Sequence, residues 1–322
     1  MELRSTSAAD LAFQKAEATL TQKGRTFHWA RRLMGTLHAS RATRLYSFCR
    51  LIDDLADEAS SVESGKAALL LAADEVAMGR SSHAVIQDGI ELMLECGIEQ
   101  SVVLELIAGV ASDLRPVQMA DEDTLLRYCY QVAGTVGLMM CNILDTTNRS
   151  AFPHAVDLGI AMQLTNICRD VAVDAAVGRR YLPASLVGEV DPQLLVDPVQ
   201  SLRPQVRKSI ETLLDIADQY YRSGELGLSY LPVGARSGIL VAARVYRAIG
   251  TRLRQQDSAY WLGRTVVPPG IKMRVTTQAL IAVPFKPSFW MSSQQHDVRL
   301  HRALSGFFGY ATPLNAPHGQ HF

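Results

Sequence analysis

One helical pattern occurs twice in this chain and constrains it more than any other feature. The first copy places Tyr46, Arg50, Asp53 and Asp57 in LYSFCRLIDDLADE, and the second places Gln163, Asn166, Asp170 and Asp174 in QLTNICRDVAVD. Each set steps through i, i+3 or i+4, i+7 and i+11. At about 100° per residue, all four members then fall within roughly one third of a helix circumference. Both helices thus present a ladder of oxygen ligands. Carboxylates at i, i+4 repel by a few tenths of a kcal/mol per pair on an exposed helix, so a chain that repeats the arrangement is expected to hold cations between the ladders. An acidic helix face is ordinarily a solvated face, but these two carry aromatic and amide neighbours rather than lysines. Oxygen-only ligands favour a hard ion such as magnesium, with manganese as its substitute, shared with substrate phosphates. Each helix also carries an arginine, Arg50 and Arg169, suited either to a phosphate or to pairing with an aspartate.

Charge balance excludes a global field for nucleic acid: lysines plus arginines number 32, as do aspartates plus glutamates. Anion recognition must therefore be local. Hydrophobic residues make up 48% and mean hydropathy is +0.06, an oiliness that suits a large apolar cavity, contact with a bilayer surface, or an ordinary helical core. No run approaches the ~20 apolar residues of a spanning helix, and the N-terminus MELRSTSAADLAFQK shows no signal or transit peptide, so a cytoplasmic protein is expected. The five cysteines lack metal-ligand spacing and read as reduced, buried residues.

Apolar residues recur at helical spacing almost throughout, predicting an all-α chain with helices near 7–34, 39–58, 63–79, 83–96, 99–118, 121–147, 153–176, 203–229, 233–262 and 269–283. Gly134 and Gly137 inside a helical pattern signal either backbone opened towards a ligand or close helix packing. A single domain is expected over 1–285, with residues 286–322 a partly disordered tail.

Two acidic helices facing one another beside a cavity suit a particular task, the clamping of a diphosphate through metal ions followed by its release from an allylic carbon. The carbocation left behind must be shielded from water and can be stabilised by aromatic faces. Phe27, Tyr46, Tyr128, Tyr130 and Tyr246 are the candidate liners.

The segments CRLIDDLADE, RYCYQVAGTVGLMM, DLGIAMQLTNICRDVAVDAAVGRRYLPAS and GLSYLPVGARSGILVAARVYRAIG resemble the squalene and phytoene synthase family, its bacterial phytoene-forming members in particular. The first block alone also suits head-to-tail prenyl elongators or class I terpene cyclases. The elongators' second DDxxD is absent, and Asn166 is followed by Asp170 and Asp174 where a cyclase has serine and glutamate. The resemblance implies an isoprenoid synthase fold and a magnesium-dependent head-to-head condensation of two geranylgeranyl diphosphates through a cyclopropyl diphosphate. It implies that Asp53, Asp57, Asp170 and Asp174 are catalytic and, with Asn166, metal-binding. Tyr46, Arg50, Gln163, Arg169 and Tyr246 match positions that line the substrate. Arg25, Thr26 and Phe27 match the family's N-terminal diphosphate-binding stretch, in which Lys23 and Gly24 depart from the pattern. Arg179 and Tyr181 match a further segment, and Arg180 beside them is expected to face solvent. The implied partners are a prenyl diphosphate, a membrane surface met peripherally and downstream carotenoid enzymes. Two alternatives stay open: a squalene or dehydrosqualene synthase using farnesyl diphosphate, and a non-catalytic assembly factor.

Overall fold

In the computed structural model, residues 33–282, 285, 287–291 and 295–307 are described. The helix expected at 7–34 falls almost wholly outside them, as do Arg25, Thr26 and Phe27. The described chain is helical, with an isolated parallel bridge between Gln118 and Arg180 and no strand among the described residues. In order the helices are α1 (Thr36–Asp57), α2 (Val62–Met78), α3 (Ala84–Cys96), α4 (Gln100–Ser112), α5 (Glu122–Cys129), a π-helical turn (Tyr130–Gly134), α6 (Thr135–Ile143), α7 (Ala151–Ala176), α8 (Ala184–Val187), α9 (Arg203–Leu226), α10 (Val233–Gln255), α11 (Pro269–Ala282) and α12 (Pro287–Trp290).

Local chemistry accounts for many of the ends. The Ser61 side chain accepts from Ser64 N–H while the Ser64 side chain reciprocates, a capping box that starts α2, and Gly79 at φ +69° stops it. Gly178 at φ +79° follows α7 in the same way. The helix expected over 233–262 instead ends at Gln255. Asp257 and Ser258 take positive φ, a conformation non-glycine residues adopt at a cost, and the buried Tyr260 donates to the Leu195 carbonyl at 2.7 Å. That tertiary anchor redirects residues 263–268, and Arg264 is thereby carried to the second ladder.

The single helix expected over 121–147 contains the π turn at Tyr130–Gly134. The π turn and α6 both lie against α7 at backbone contact: a Cβ on Gly137 would stand 2.2 Å from the Ala155 carbonyl oxygen, and one on Gly159 would stand 2.2 Å from that of Ala133 in the turn. Close packing is thus what these glycines provide, although Gly137 also borders the cavity described below. Gly137→Ala or Gly159→Ala should destabilise the fold by about 3 kcal/mol, because backbone, unlike a flexible side chain, has nowhere to yield. Denaturant midpoints will test this; an unchanged midpoint for both variants would contradict the contact.

Arg180 does not face solvent. It is 1% exposed, and its guanidinium donates to the carbonyls of Met119 (3.1 Å) and Leu182 (2.9 Å) and to Glu189 (3.0 Å). A buried cation is tolerated there because its guanidinium donates to two carbonyls and a carboxylate.

The core forms two continuous halves. One is built mainly on α1–α4 and α10, the other on α5, α7 and α9, and Val132 and Leu138 touch both. Within the stretch expected to be a loose tail, a 3₁₀ helix at Val298–Leu304 packs on the second half, where Arg127 donates to the Ala303 carbonyl at 2.8 Å and Tyr220 to that of Leu300 at 2.5 Å.

Candidate active site

Helices α1, α6, α7 and α10, the π turn and the C-terminal end of α9 enclose a cavity of about 280 Å³. Its walls are mainly apolar, among them Leu45, Met140, Leu158 and Ile239, and Tyr46, Gln163, Asn166 and Tyr246 supply polar edges. Both tyrosines belong to the expected set of liners. Tyr128 and Tyr130, also in that set, do not line the cavity: Tyr128 stacks on Tyr181 with ring centroids 4.9 Å apart, and Tyr130 packs against Phe307 at 5.4 Å. Residue type alone makes both candidates; their rings are taken up by Tyr181 and Phe307 instead.

The ladders lie on α1 and α7, and Asp53 senses the charge of Asp113 while Asp174 senses both Asp170 and Asp113. Burial pushes Asp53 up to about 7, reinforced by repulsion from Asp57, Asp54 and Asp113 and opposed by Arg50. Burial likewise pushes Asp174 up to about 7, with Asp170 and Asp113 adding to it and Arg179 opposing. Burial pushes Asp170 up too, but hydrogen bonds from Arg169 and Arg264 outweigh it and hold the group below the usual carboxylate range. Asp57 pairs with Arg179 at 3.1 Å. Arg50 pairs with Asp54 on its own helix, so both ladder arginines are engaged by aspartates.

Two members of this constellation carry no sequence signal. Asp113, just past α4, accepts from Tyr181 at 2.6 Å and from Tyr128 at 2.8 Å, and burial raises it above its usual range. Arg264 donates through Nε at 2.8 Å and Nη2 at 3.1 Å to the two oxygens of Asp170. No periodicity links either residue to the ladders; only the packing of α4 and the break after α10 bring them in.

The donor set fits a hard divalent cation. Carboxylates that repel one another in a buried setting are relieved by a cation, and Asn166 Oδ1 is buried with no hydrogen-bond partner, as expected for an oxygen held for a metal. The ladder carboxylates do not gather in threes within 4.8 Å. That spacing suits ions which reach a second ladder through waters or phosphate oxygens rather than a closed protein cage. Cys49, at the cavity wall, has its thiol pushed up by burial and stays protonated at neutral pH.

Residues 20–271 match the family model for squalene/phytoene synthase. The chain belongs to that family. Among curated proteins it is 32% identical over 253 residues to a 15-cis-phytoene synthase of Enterobacter agglomerans, covering 74% of this chain and 84% of that one. It is 35% identical over 258 residues to a 15-cis-phytoene synthase of Paracoccus sp., covering 77% and 83%. Among solved structures it superposes on a dehydrosqualene synthase in complex with a ligand with TM-score 0.74 at 23% identity, covering 86% of this chain and 98% of that one. A squalene synthase from Alicyclobacillus acidocaldarius follows at TM-score 0.67 and 20% identity, covering 77% and 95%. These likenesses establish the all-α isoprenoid synthase fold around the central cavity.

Proposed function

We propose that the chain is a 15-cis-phytoene synthase, joining two geranylgeranyl diphosphates head to head through a cyclopropyl (prephytoene) diphosphate in a magnesium-dependent reaction that opens carotenoid biosynthesis. The observation that carries this reading is the placement of Asn166 and Gln163, members of the second ladder, on the wall of an apolar cavity, in a chain whose curated relatives bear that name. Purified protein given magnesium and geranylgeranyl diphosphate should yield phytoene in a single extraction and chromatogram. An absence of product would move the weight to a non-catalytic relative.

Asp53, Asp57, Asn166, Asp170 and Asp174 would hold the magnesium ions, which, when bound, neutralise charge developing on the departing diphosphate. Arg169, Arg179 and Arg264 already pair with ladder carboxylates, and each can turn to a phosphate oxygen when cations take over those carboxylates; Arg50, paired with the neighbouring Asp54, lies on the same ladder as Asp53 and Asp57. Tyr46 and Tyr246 border the cavity where an allylic cation would form, offering aromatic faces that stabilise without capturing it. The apolar walls exclude the water that would quench it.

Magnesium affinity should follow the two raised carboxyls. Burial pushes both Asp53 and Asp174 up to about 7. Below that pH both hold protons, which the metal must displace; above about pH 8 nothing remains to be displaced. Magnesium binding should therefore weaken by up to ~tenfold per group for each pH unit below 7 and release protons at pH 6 but not at pH 9. Calorimetry in two buffers of different ionisation enthalpy measures the release, and its absence at pH 6 would contradict the assignment.

Peripheral membrane contact is part of the proposal, supported by the hydrocarbon substrate and product it assigns and by exposed apolar side chains at Leu262, Val266, Met273, Ile281, Phe285 and Met291. Among the described residues no helix is long and apolar enough to cross a membrane. Co-sedimentation with liposomes should persist at high salt, since apolar contact is not screened. Protein left wholly in the supernatant at low and high salt would refute it. A surface of this kind also suits hand-over of product to downstream carotenoid enzymes.

A further inference from the structure

We propose that Asp157, His296 and His301 form a second metal site, separate from the aspartate ladders, that takes a divalent transition cation of the zinc class. Their ligand atoms lie within 4.8 Å of one another, and among the described residues no other group of three His, Cys, Asp or Glu side chains does so. His296 Nε2 is 2.8 Å from Asp157 Oδ2 and His301 Nε2 is 2.5 Å from Asp157 Oδ1, with the two imidazole rings 4.3 Å apart between centroids. The Asp157 and His301 side chains are fully buried and that of His296 is 9% exposed.

The chemistry of the donors selects the ion. Two imidazole nitrogens with one carboxylate oxygen suit zinc and its first-row neighbours, whereas magnesium prefers oxygen ligands throughout. A tetrahedral zinc with bonds of about 2.0–2.1 Å holds its ligands ~3.3 Å apart, so the cluster accommodates one by opening about 0.5 Å on the His296 side and about 0.8 Å on the His301 side. On binding, each neutral imidazole carries its proton on Nδ1 and offers the Nε2 lone pair to the ion, leaving a fourth position for water. An outer layer is already in place. The Ser223 hydroxyl donates to Asp157 Oδ2, and His154 stands edge-on to His296 at 5.2 Å with its Nδ1 2.8 Å from the Ser223 carbonyl oxygen. Hydrogen-bonded partners of this kind orient metal-ligating carboxylates.

Placement assigns the ion a structural task. Asp157 sits on α7, while the histidines come from the chain beyond α12, 139 and 144 residues further on. A cation there clips that segment to the helix carrying the second ladder, next to His154 at the cavity wall. Cross-links that close long loops restrict the unfolded chain strongly.

The test uses the full chain, stripped with chelator and equilibrated with Zn²⁺ in the absence of magnesium and diphosphate, with bound metal measured by mass spectrometry. Wild type should retain one equivalent, and His296→Gln and Asp157→Asn should each bind at least tenfold more weakly. Asp170→Asn/Asp174→Asn, which disables the second ladder, should retain the equivalent. Co²⁺ in place of Zn²⁺ should give tetrahedral visible absorption in wild type that His296→Gln lacks. If Asp157→Asn fails to fold, His296→Gln, at the edge of the cluster, decides alone. Wild type holding no more zinc than His296→Gln would overturn the proposal, as would zinc lost with the ladder variant. None of these readouts requires turnover, so the result stands apart from the catalytic reading.

Discussion

Asp53→Asn and Asp170→Asn should each lower turnover by ~10³-fold or more while leaving the fold intact, the scale expected when a catalytic metal loses a ligand. Asparagine keeps the volume of aspartate but removes the charge that draws a cation. The effect on stability has the opposite sign for Asp53. Its carboxyl is buried and raised to about 7, so ionisation there opposes folding, and a neutral amide removes that cost. Asp170 differs, being held ionised by Arg169 and Arg264; its amide leaves two guanidiniums short of a partner. Asp53→Asn should therefore unfold at or above the wild-type temperature and Asp170→Asn slightly below it. Thermal unfolding and product formation measured on the same preparations separate the two effects. Near-normal activity in either variant would refute the ladder assignment.

Geranylgeranyl diphosphate should be used much better than farnesyl diphosphate, by a factor set by one isoprene unit. Each methylene removed from water is worth about 0.8 kcal/mol, so five carbons are worth several kcal/mol at most, or ~10² to 10³-fold in kcat/KM. The described cavity is lined by Tyr46 and Asn166 and by apolar side chains that include Met140, Leu144 and Leu231, and the fit of the last unit among such side chains decides the preference. Parallel assays of each substrate, with a no-magnesium control, measure it. A preference for farnesyl diphosphate would replace the phytoene assignment with a squalene-type one and spare the metal site.

The features legible in the chain were those that helical geometry alone dictates. Residues three, four, seven and eleven apart share a helix face wherever that helix packs, so both ladders could be aligned before any contact was known. Apolar periodicity likewise marked the helices, and the motifs around Asp53 and Asp170 marked the family. Periodicity misled where a tertiary contact outweighed local preference. The apolar pattern runs on through 256–262, yet the chain turns at Asp257 and Ser258 because Tyr260 is anchored on Leu195. Arginine at position 180 reads as a surface residue until the carbonyls of Met119 and Leu182 are seen to gather around its guanidinium.

The sequence by itself therefore determined the helical class, the family and the two acidic faces, because each is written in residues close together along the chain. Tertiary structure alone decided how those faces are completed and what else α7 meets. Asp113 reaches the ladders from α4, Arg264 reaches Asp170 across 94 residues, and His301 reaches Asp157 across 144. Such contacts depend on long-range packing, in which the energy of one pairing is won against the entropy of closing a long loop, and no local spacing records that outcome.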